Sequence, residues 1–433
     1  MFPSHDRGWC ELQKMNFEVL DDKPISMRGG GKNVTFGYST SDLNIEKFID
    51  RSVPSETQIE IRNIEQNEPR KPVTLIVDEF PILSLPRPNN DSLNIAYGCW
   101  HRSQRSRDEY SKANLKMFRW ITGNLMRNIQ PLDCNFVMTL DQYLSKSNYT
   151  EERCIELREK YNQLMYGINS KHNFKLEDVP WEGTYIIANL EHCQYSTIFI
   201  KNETYPTFKN PRLIWATPDD YKVLFGPIIA SIQECYFEQN DDHVKHTTSK
   251  DRHQKIKSIG DIMTPGTKAY STDFSSFENH FTPGTVEYVQ KTFFDHMISS
   301  CPHLKTTIDR LNAVSCRRNT YSCFKNNVKF KAKGKLESGA NHTALMNYFM
   351  NKVFNTTIYY YLFLKKQDSC HKWGRKQTPR LWKLFHAWMM ENGYWNRLFE
   401  GDDGIFLLKN EDAFFFEEAV DTIQVTMTKT CSR

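Results

Sequence analysis

Two adjacent carboxylates interrupt an apolar stretch near the end of the chain, Leu398-Phe399-Glu400-Gly401-Asp402-Asp403-Gly404-Ile405-Phe406-Leu407-Leu408. Apolar runs flanking a Gly-Asp-Asp-Gly centre predict a β-hairpin whose tip carries Asp402 and Asp403. Apolar strands seek a core, so the two charges sit side by side at its edge, which is costly unless a cation shares the site. For these four residues alone, an ordinary Asp-rich turn is the competing reading. A second acidic group shifts that balance. Lys268 to Glu278 is a short strand-like run ending in Asp273, with Glu278 five residues on. Two-metal chemistry needs carboxylates from separate strands converging on two divalent ions about 4 Å apart. Asp273 and Asp402 meet that need if their strands are neighbours.

Between the two acidic groups, Ser338-Gly339 forms a loop opening a helix whose apolar spacing continues to about Leu364. Thr343 and Asn347 stand at i and i+4 and share one helix face. A hydroxyl, a glycine and two polar side chains there suit close approach to a sugar. From Cys316 to Lys335 there are seven basic residues (Arg317, Arg318, Lys325, Lys329, Lys331, Lys333, Lys335) and no acidic one. The last four alternate, so a strand would point them to one face, with Asn326-Asn327 as the turn. Tyr321 and Phe324 offer stacking surfaces. This stretch reads as a sequence-independent phosphate track for RNA; an edge strand guarded by lysines is the alternative.

In chain order, D-x4-E, S-G-x3-T-x3-N and G-D-D resemble motifs A, B and C of viral RNA-dependent RNA polymerases. The spellings DFSSFE, SGANHTALMN and EGDDG look most like the positive-strand tombusvirus-like and nodavirus-like replicases. Ile200-Lys201-Asn202-Glu203 with Lys209-Asn210-Pro211-Arg212 resembles motif F, and Lys201, Lys209 and Arg212 would grip an incoming triphosphate. The stretch from Phe225 to Lys245 resembles the fingers less sharply. The resemblance implies an α+β right-hand fold, with fingers and an antiparallel palm sheet packed on helices. It implies transfer of ribonucleoside monophosphates from NTPs to an RNA 3′-hydroxyl, with Asp273 and Asp402 holding two Mg2+ ions and Asp403 assisting.

Glu278, Ser338, Thr343 and Asn347 would form the ribose-reading network. Many positive-strand enzymes have Asp where this chain has Glu278. On the candidate motif D, Lys429 would be the general acid, against an exposed strand-end lysine. Implied partners are the RNA template and product strand, NTPs and other viral replicase proteins. Implied localisation is the host cytoplasm, in membrane-associated replication complexes reached through other regions or proteins. Arg433 follows Lys429 by four residues, so motif E and a thumb are expected to be missing or incomplete. A reverse transcriptase would carry an aromatic residue before Asp-Asp and a bulky residue excluding the 2′-hydroxyl. Gly401, Ser338 and Asn347 argue against it. An RNA-binding replicase fragment with idle carboxylates is the non-enzymatic alternative.

The elements that must position these groups are spread over 433 residues, enough for more than one packed lobe. A hydrophobic share of 39% still builds sizeable cores, which excludes wholesale disorder. A net charge of +4 is too mild to indicate a nucleic-acid partner, so that case rests on local charge. No run of about 18 apolar residues occurs, and His5, Asp6, Arg7 and Glu11 leave no apolar signal core. Eleven cysteines without a C-x-x-C pair read as free thiols in a reducing compartment. Cys-His neighbours, such as Cys301 with His303, read as scattered rather than as zinc ligands. Arg28 to Lys32 fails the P-loop spacing, with Ser26 and Asn33 at the required positions, and reads as a turn.

Residues 39–72 read as a polar surface segment or linker, and Pro72 to Leu85 as a strand followed by a Pro-punctuated turn. Leu115, Phe118, Ile121 and Leu125 fall at helical spacing. The expected organisation is 1–180 as N-terminal fingers or an upstream segment and 181–265 as fingers with motif F. Motif A of the palm then occupies 266–300, a basic fingers insertion 301–335, and motifs B, C and D of the palm 336–433.

Overall fold

The computed structural model describes residues 109–172, 195–203, 211–244, 247–274, 277–316, 318–323, 328–333, 339–370, 373–374 and 377–431. Before residue 109 it describes 58–61, 73–75, 83–85, 88, 94–95 and 98–99. The turn at 28–32, most of the 39–72 segment, Lys209, Arg317, Lys325, Lys335 and Ser338 lie outside these residues.

The strands are β1 (Gln58–Ile61), β2 (Val73–Leu75), β3 (Leu83–Leu85), β4 (Tyr195–Ile200), β5 (Leu213–Ala216) and β6 (Thr267–Phe274). They continue with β7 (Arg318–Cys323), β8 (Val328–Lys333), β9 (Leu398–Glu400), β10 (Asp403–Lys409) and β11 (Met427–Cys431). The helices begin with α1 (Lys112–Met126), α2 (Leu140–Lys146), α3 (Glu151–His172), α4 (Asp219–Glu238) and α5 (Ser249–Asp261). After a π-helical stretch, Val286–Gln290, come α6 (Lys291–Met297), α7 (Lys305–Cys316), α8 (Thr343–Lys366), α9 (Pro379–Glu391), α10 (Asn410–Ala413) and α11 (Phe416–Ile423). The chain is therefore mixed α/β, mostly helical with small antiparallel sheets, compatible with the α+β expectation.

Two compact units divide the chain. The first gathers 1–106, 196–215 and 320–332 around a five-stranded sheet ordered β1-β8-β7-β4-β5. The segment from Pro72 to Leu85 forms two short antiparallel strands, β2 and β3. The second unit holds the remainder, including every residue of the predicted motifs A, B and C. This partition cuts across the expected segments: 181–265 is divided after Trp215, and 301–335 is shared between the two.

In the second unit, the sheet is β11-β6-β10-β9, antiparallel at every pairing. Along β6, Tyr270, Thr272 and Phe274 are buried while Ser271 and Asp273 are exposed, the period of two expected of a half-covered sheet. The buried face stacks Tyr270 on Phe406, and Phe406 on Phe416 of α11. Helix α8 is apolar around most of its girth, so it is buried along nearly its whole length rather than along one stripe. Its last turn is fastened by Lys365 to Glu418 at 2.7 Å and by Lys366 to Glu411 at 2.6 Å. Helix α1 buries Leu115, Phe118 and Ile121 as their spacing predicts, and Ser111 caps its N-terminus.

Among the described residues, no helix is long and apolar enough to cross a membrane. Cys99, Cys134, Cys154, Cys235, Cys301 and Cys370 are free thiols.

Candidate functional site

The strands bearing the two acidic groups are neighbours. Strand β10 pairs with β6 from Lys409↔Thr267 to Gly404↔Thr272, and one further step of that register brings Asp403 level with Asp273. Across the hairpin Asp403 pairs with Glu400, leaving Gly401 and Asp402 as the tip. Gly401 has φ +65, and the nearest atom to a Cβ placed there is 3.9 Å away on Asn347. Backbone conformation, not space, therefore calls for glycine. Burial pushes the Asp403 carboxyl up, and the charges of Asp402, Asp273 and Glu400 push it further. The sheet thus brings acids from separated stretches of chain to the same end of neighbouring strands.

Three carboxylates are hard oxygen donors of the kind that Mg2+ and Mn2+ prefer, and the repulsion raising Asp403 is what a divalent cation would relieve. In chemistry and charge the donor set fits the ions. Among the described residues, no three His, Cys, Asp or Glu side chains are gathered closely enough to form a metal cage by themselves. The acids share an edge rather than enclose a point.

Behind the tip runs a polar stripe on α8 at four-residue steps: Thr343, Asn347, Asn351 and Asn355. Asn347 faces Gly401, and its buried Oδ1 has no hydrogen-bond partner among the described residues. Asn351 Nδ2 donates to the carbonyl oxygens of Gly401 at 3.2 Å, Asp402 at 2.9 Å and Asp403 at 3.1 Å. Asn355 Oδ1 and Thr356 Oγ1 accept from the buried Arg397 guanidinium, just before β9, at 2.9 and 2.8 Å. Asn351 and Asn355 escaped the sequence reading. The four-residue repeat of polar side chains in an apolar helix was the signal that could have found them.

A second support holds the outer strand. The Phe399 amide donates to the Asp242 carbonyl at 2.9 Å, and the Val244 amide donates to the Phe399 carbonyl at 3.2 Å. The Asp242 side chain is fixed by Lys352 Nζ at 2.8 Å and by the Tyr348 hydroxyl. Burial alone would raise this carboxyl; the charges of Lys352 and Arg397 outweigh it and hold the group below the usual carboxylate range.

At the N-terminus of α8, buried His342 has its Nδ1 2.9 Å from the Tyr221 hydroxyl. Burial pushes its pKa down to about 4. An imidazole depressed in the fold stabilises the fold above its unfolded value of about 6.5, and that contribution is lost as the pH falls toward the folded value. We therefore expect the melting temperature to drop between about pH 6.5 and 4. The His342→Asn variant, which keeps an acceptor near the Nδ1 position, should show a flatter profile by thermal melting, the full difference amounting to about 3 kcal/mol.

The remaining predicted residues divide. Glu278 lies on a short 3-10 turn, Phe277–His280, which Phe274 and Phe277 anchor with ring centroids 4.7 Å apart. His280 ties this turn to the start of β11 through Thr426 Oγ1 at 2.8 Å, and to Tyr110 at 2.5 Å.

Lys429 is not brought to the acids. It pairs with Thr272, one residue out of step with Asp273, so strand alternation turns it to the helix-covered face. There Nζ donates to the Ala413 carbonyl at 2.7 Å and lies 4.2 Å from the Phe416 ring centre. Burial pushes its ammonium down while Glu417 opposes the shift. The expectation of a general acid at the carboxylates is not met by this placement, since Thr428 is the residue opposite Asp273.

In the first unit, Lys201 and Arg212 are joined by a backbone hydrogen bond of 2.8 Å and share Glu203, at 2.8 and 3.6 Å. Arg212 is exposed while Lys201 and Glu203 are half-buried, and such partly solvated pairs are weak enough for an anion to compete for both cations. Lys329, Lys331 and Lys333 lie on β8, with Arg318 on the neighbouring β7. Strand β8 is flanked by β1 and β7, and Lys329 pairs in register with Glu60. A strand paired on both sides is not an edge, which removes the edge-guarding alternative for these lysines.

No protein-family model matches the chain, and no curated protein is found as a relative.

Proposed function

We propose that the chain supplies the fingers and palm of a viral RNA-dependent RNA polymerase of the positive-strand type, transferring ribonucleoside monophosphates from NTPs to an RNA 3′-hydroxyl. The observation that carries this reading is the placing of Asp273 and Asp403 on neighbouring antiparallel strands, with Asp402 at the adjoining hairpin tip and Asn347 against it. Asp273 and Asp402 would hold two Mg2+ or Mn2+ ions, with Asp403 beside them. Bound there, such ions would activate the 3′-hydroxyl and offset charge on the transferred phosphoryl group and departing pyrophosphate.

Asn347 stands against the hairpin tip and is assigned to the ribose-reading set by its place in motif B. Thr343, Glu278 and Ser338 complete the ribose-reading set by their place in the motifs. Lys201, Lys209 and Arg212 provide cations for a triphosphate, and the basic stretch of β7 and β8, with Arg317, Lys325 and Lys335, a track for RNA phosphates. Lys429, engaged by Ala413 and Glu417, is assigned to packing rather than to proton transfer.

Primer extension on a homopolymeric RNA template, with Mg2+ or Mn2+, tests the proposal. Templated ribonucleotide incorporation is expected. Preference for deoxynucleotides would point to a reverse transcriptase and sink the assignment. Salt-sensitive RNA binding without incorporation would leave an RNA-binding protein with idle acids.

A further inference from the structure

The Asp402-Asp403 pair stands at the turn of a hairpin whose outer strand is three residues long. Two neighbouring carboxylates repel each other, and a strand of that length has few ladder bonds with which to hold a tip against repulsion. Something outside the hairpin must fix its backbone. The three carbonyls at 401–403 converge on a single nitrogen, Nδ2 of Asn351. A carboxamide nitrogen carries two hydrogens and no lone pair available to accept, so it suits a concave cluster of acceptors. Asn351 is fully buried, on a helix buried along most of its length, so its own position is fixed by packing. The next residue, Lys352, holds Asp242, whose backbone carbonyl pairs with the outer strand at Phe399. One turn of α8 therefore grips the hairpin twice.

We propose that Asn351 is a positioning residue for the candidate metal site: its carboxamide holds the 401–403 backbone so that Asp402 and Asp403 are presented together beside Asp273. The consequence for metal binding rests on the polymerase reading; the backbone clamp itself does not. Asn351 touches no reacting atom and acts through the carbonyls of the residues that do. Its effect differs from that of a charge. If the site depended on net charge alone, adding a carboxylate behind the tip would draw a divalent cation in more strongly. If it depends on the held backbone, an Asp at this position sets acceptors against three carbonyls, loosens the tip and weakens binding despite the added charge.

The test compares the full chain with its Asn351→Leu and Asn351→Asp variants by two measurements. The first is amide hydrogen exchange over 398–409, with α1 as the internal reference for global stability. Both variants are expected to exchange about tenfold faster at the tip amides, with α1 unchanged. The second is Mn2+ binding followed by electron paramagnetic resonance, where both variants are expected to bind about fivefold to tenfold more weakly than wild type. Unchanged exchange at the tip would overturn the clamp, and tighter Mn2+ binding by Asn351→Asp would overturn its link to the metal site. A wild-type chain that binds no Mn2+ and adds no nucleotide would defeat the polymerase reading and, with it, the metal-site part of this proposal. The exchange measurement would still decide the clamp.

Discussion

The Asp402→Asn variant is expected to incorporate ribonucleotides about a thousandfold more slowly than wild type while melting at the same temperature or slightly higher. On the proposed polymerase reading, the loss would follow from removing one carboxylate of the proposed divalent-cation site, whose charge stabilisation in the transition state would be worth several kcal/mol, about 4 for a thousandfold. The retained stability follows from the electrostatics of the tip. Asp403 is raised partly by the Asp402 charge, so the substitution relieves repulsion in the metal-free fold. The pairing of β9 with β10 and the Asn351 clamp both act through backbone atoms and survive the change. Single-nucleotide extension kinetics beside a melting curve separates the two effects. A rate reduced by less than tenfold would remove Asp402 from the metal site.

The Lys352→Met variant should show the largest loss of stability, about 3 kcal/mol, read as a melting temperature several degrees lower. The substitution keeps much of the side-chain volume but strands the Asp242 carboxylate in a largely buried place, and breaking one side of such a pair costs about 3–5 kcal/mol. The Asp242→Asn, Lys352→Met double variant should recover part of the loss, because the stranded charge is then gone. The sign of the pH dependence follows from the depressed carboxyl. A carboxyl lowered by the fold contributes stability that is full above its unfolded value of about 4 and disappears as the pH falls through the folded value. The gap between wild type and Lys352→Met should accordingly narrow below about pH 4. A constant gap across that range would show that lost packing, not charge, is responsible.

Local pattern revealed much of this site and global pairing revealed the rest. The hairpin was legible because apolar alternation and Gly-Asp-Asp-Gly turn chemistry agree at one place. Helix α8 was legible because its apolar spacing runs unbroken to Leu364. The neighbouring of β6 and β10 could only be stated as a condition, since strand pairing depends on contacts between segments far apart in sequence.

Lys429 shows the limit within a single strand. Its type and approximate distance past the hairpin suited the role, but register decides the face, and a shift of one residue exchanges the two. Asp242, Lys352 and Arg397 were missed for a different reason. Each is unremarkable in its own segment, and only the fold brings the three charges together. Glu203 was part of the quoted basic stretch, yet its hold on both Lys201 and Arg212 required the pairing of residues eleven apart in the chain.

The order of strands in the second unit also governs how this chain comes to fold. Strand β6 is central, yet both of its partners lie far downstream, beginning at Asp403 and Met427. During synthesis at about 5–20 residues per second, the strand ending at Phe274 waits on the order of ten seconds for its first partner. Throughout that interval both of its backbone edges lack their eventual ladder, and Tyr270 and Phe274 lack the strand neighbours that help bury them. The acidic edge is therefore assembled late, from non-local contacts such as that of Thr272 with Gly404, 132 residues apart in the chain. A ribosome stalled before Asp403 would display an unpaired aromatic strand, a substrate for chaperones and a seed for aggregation.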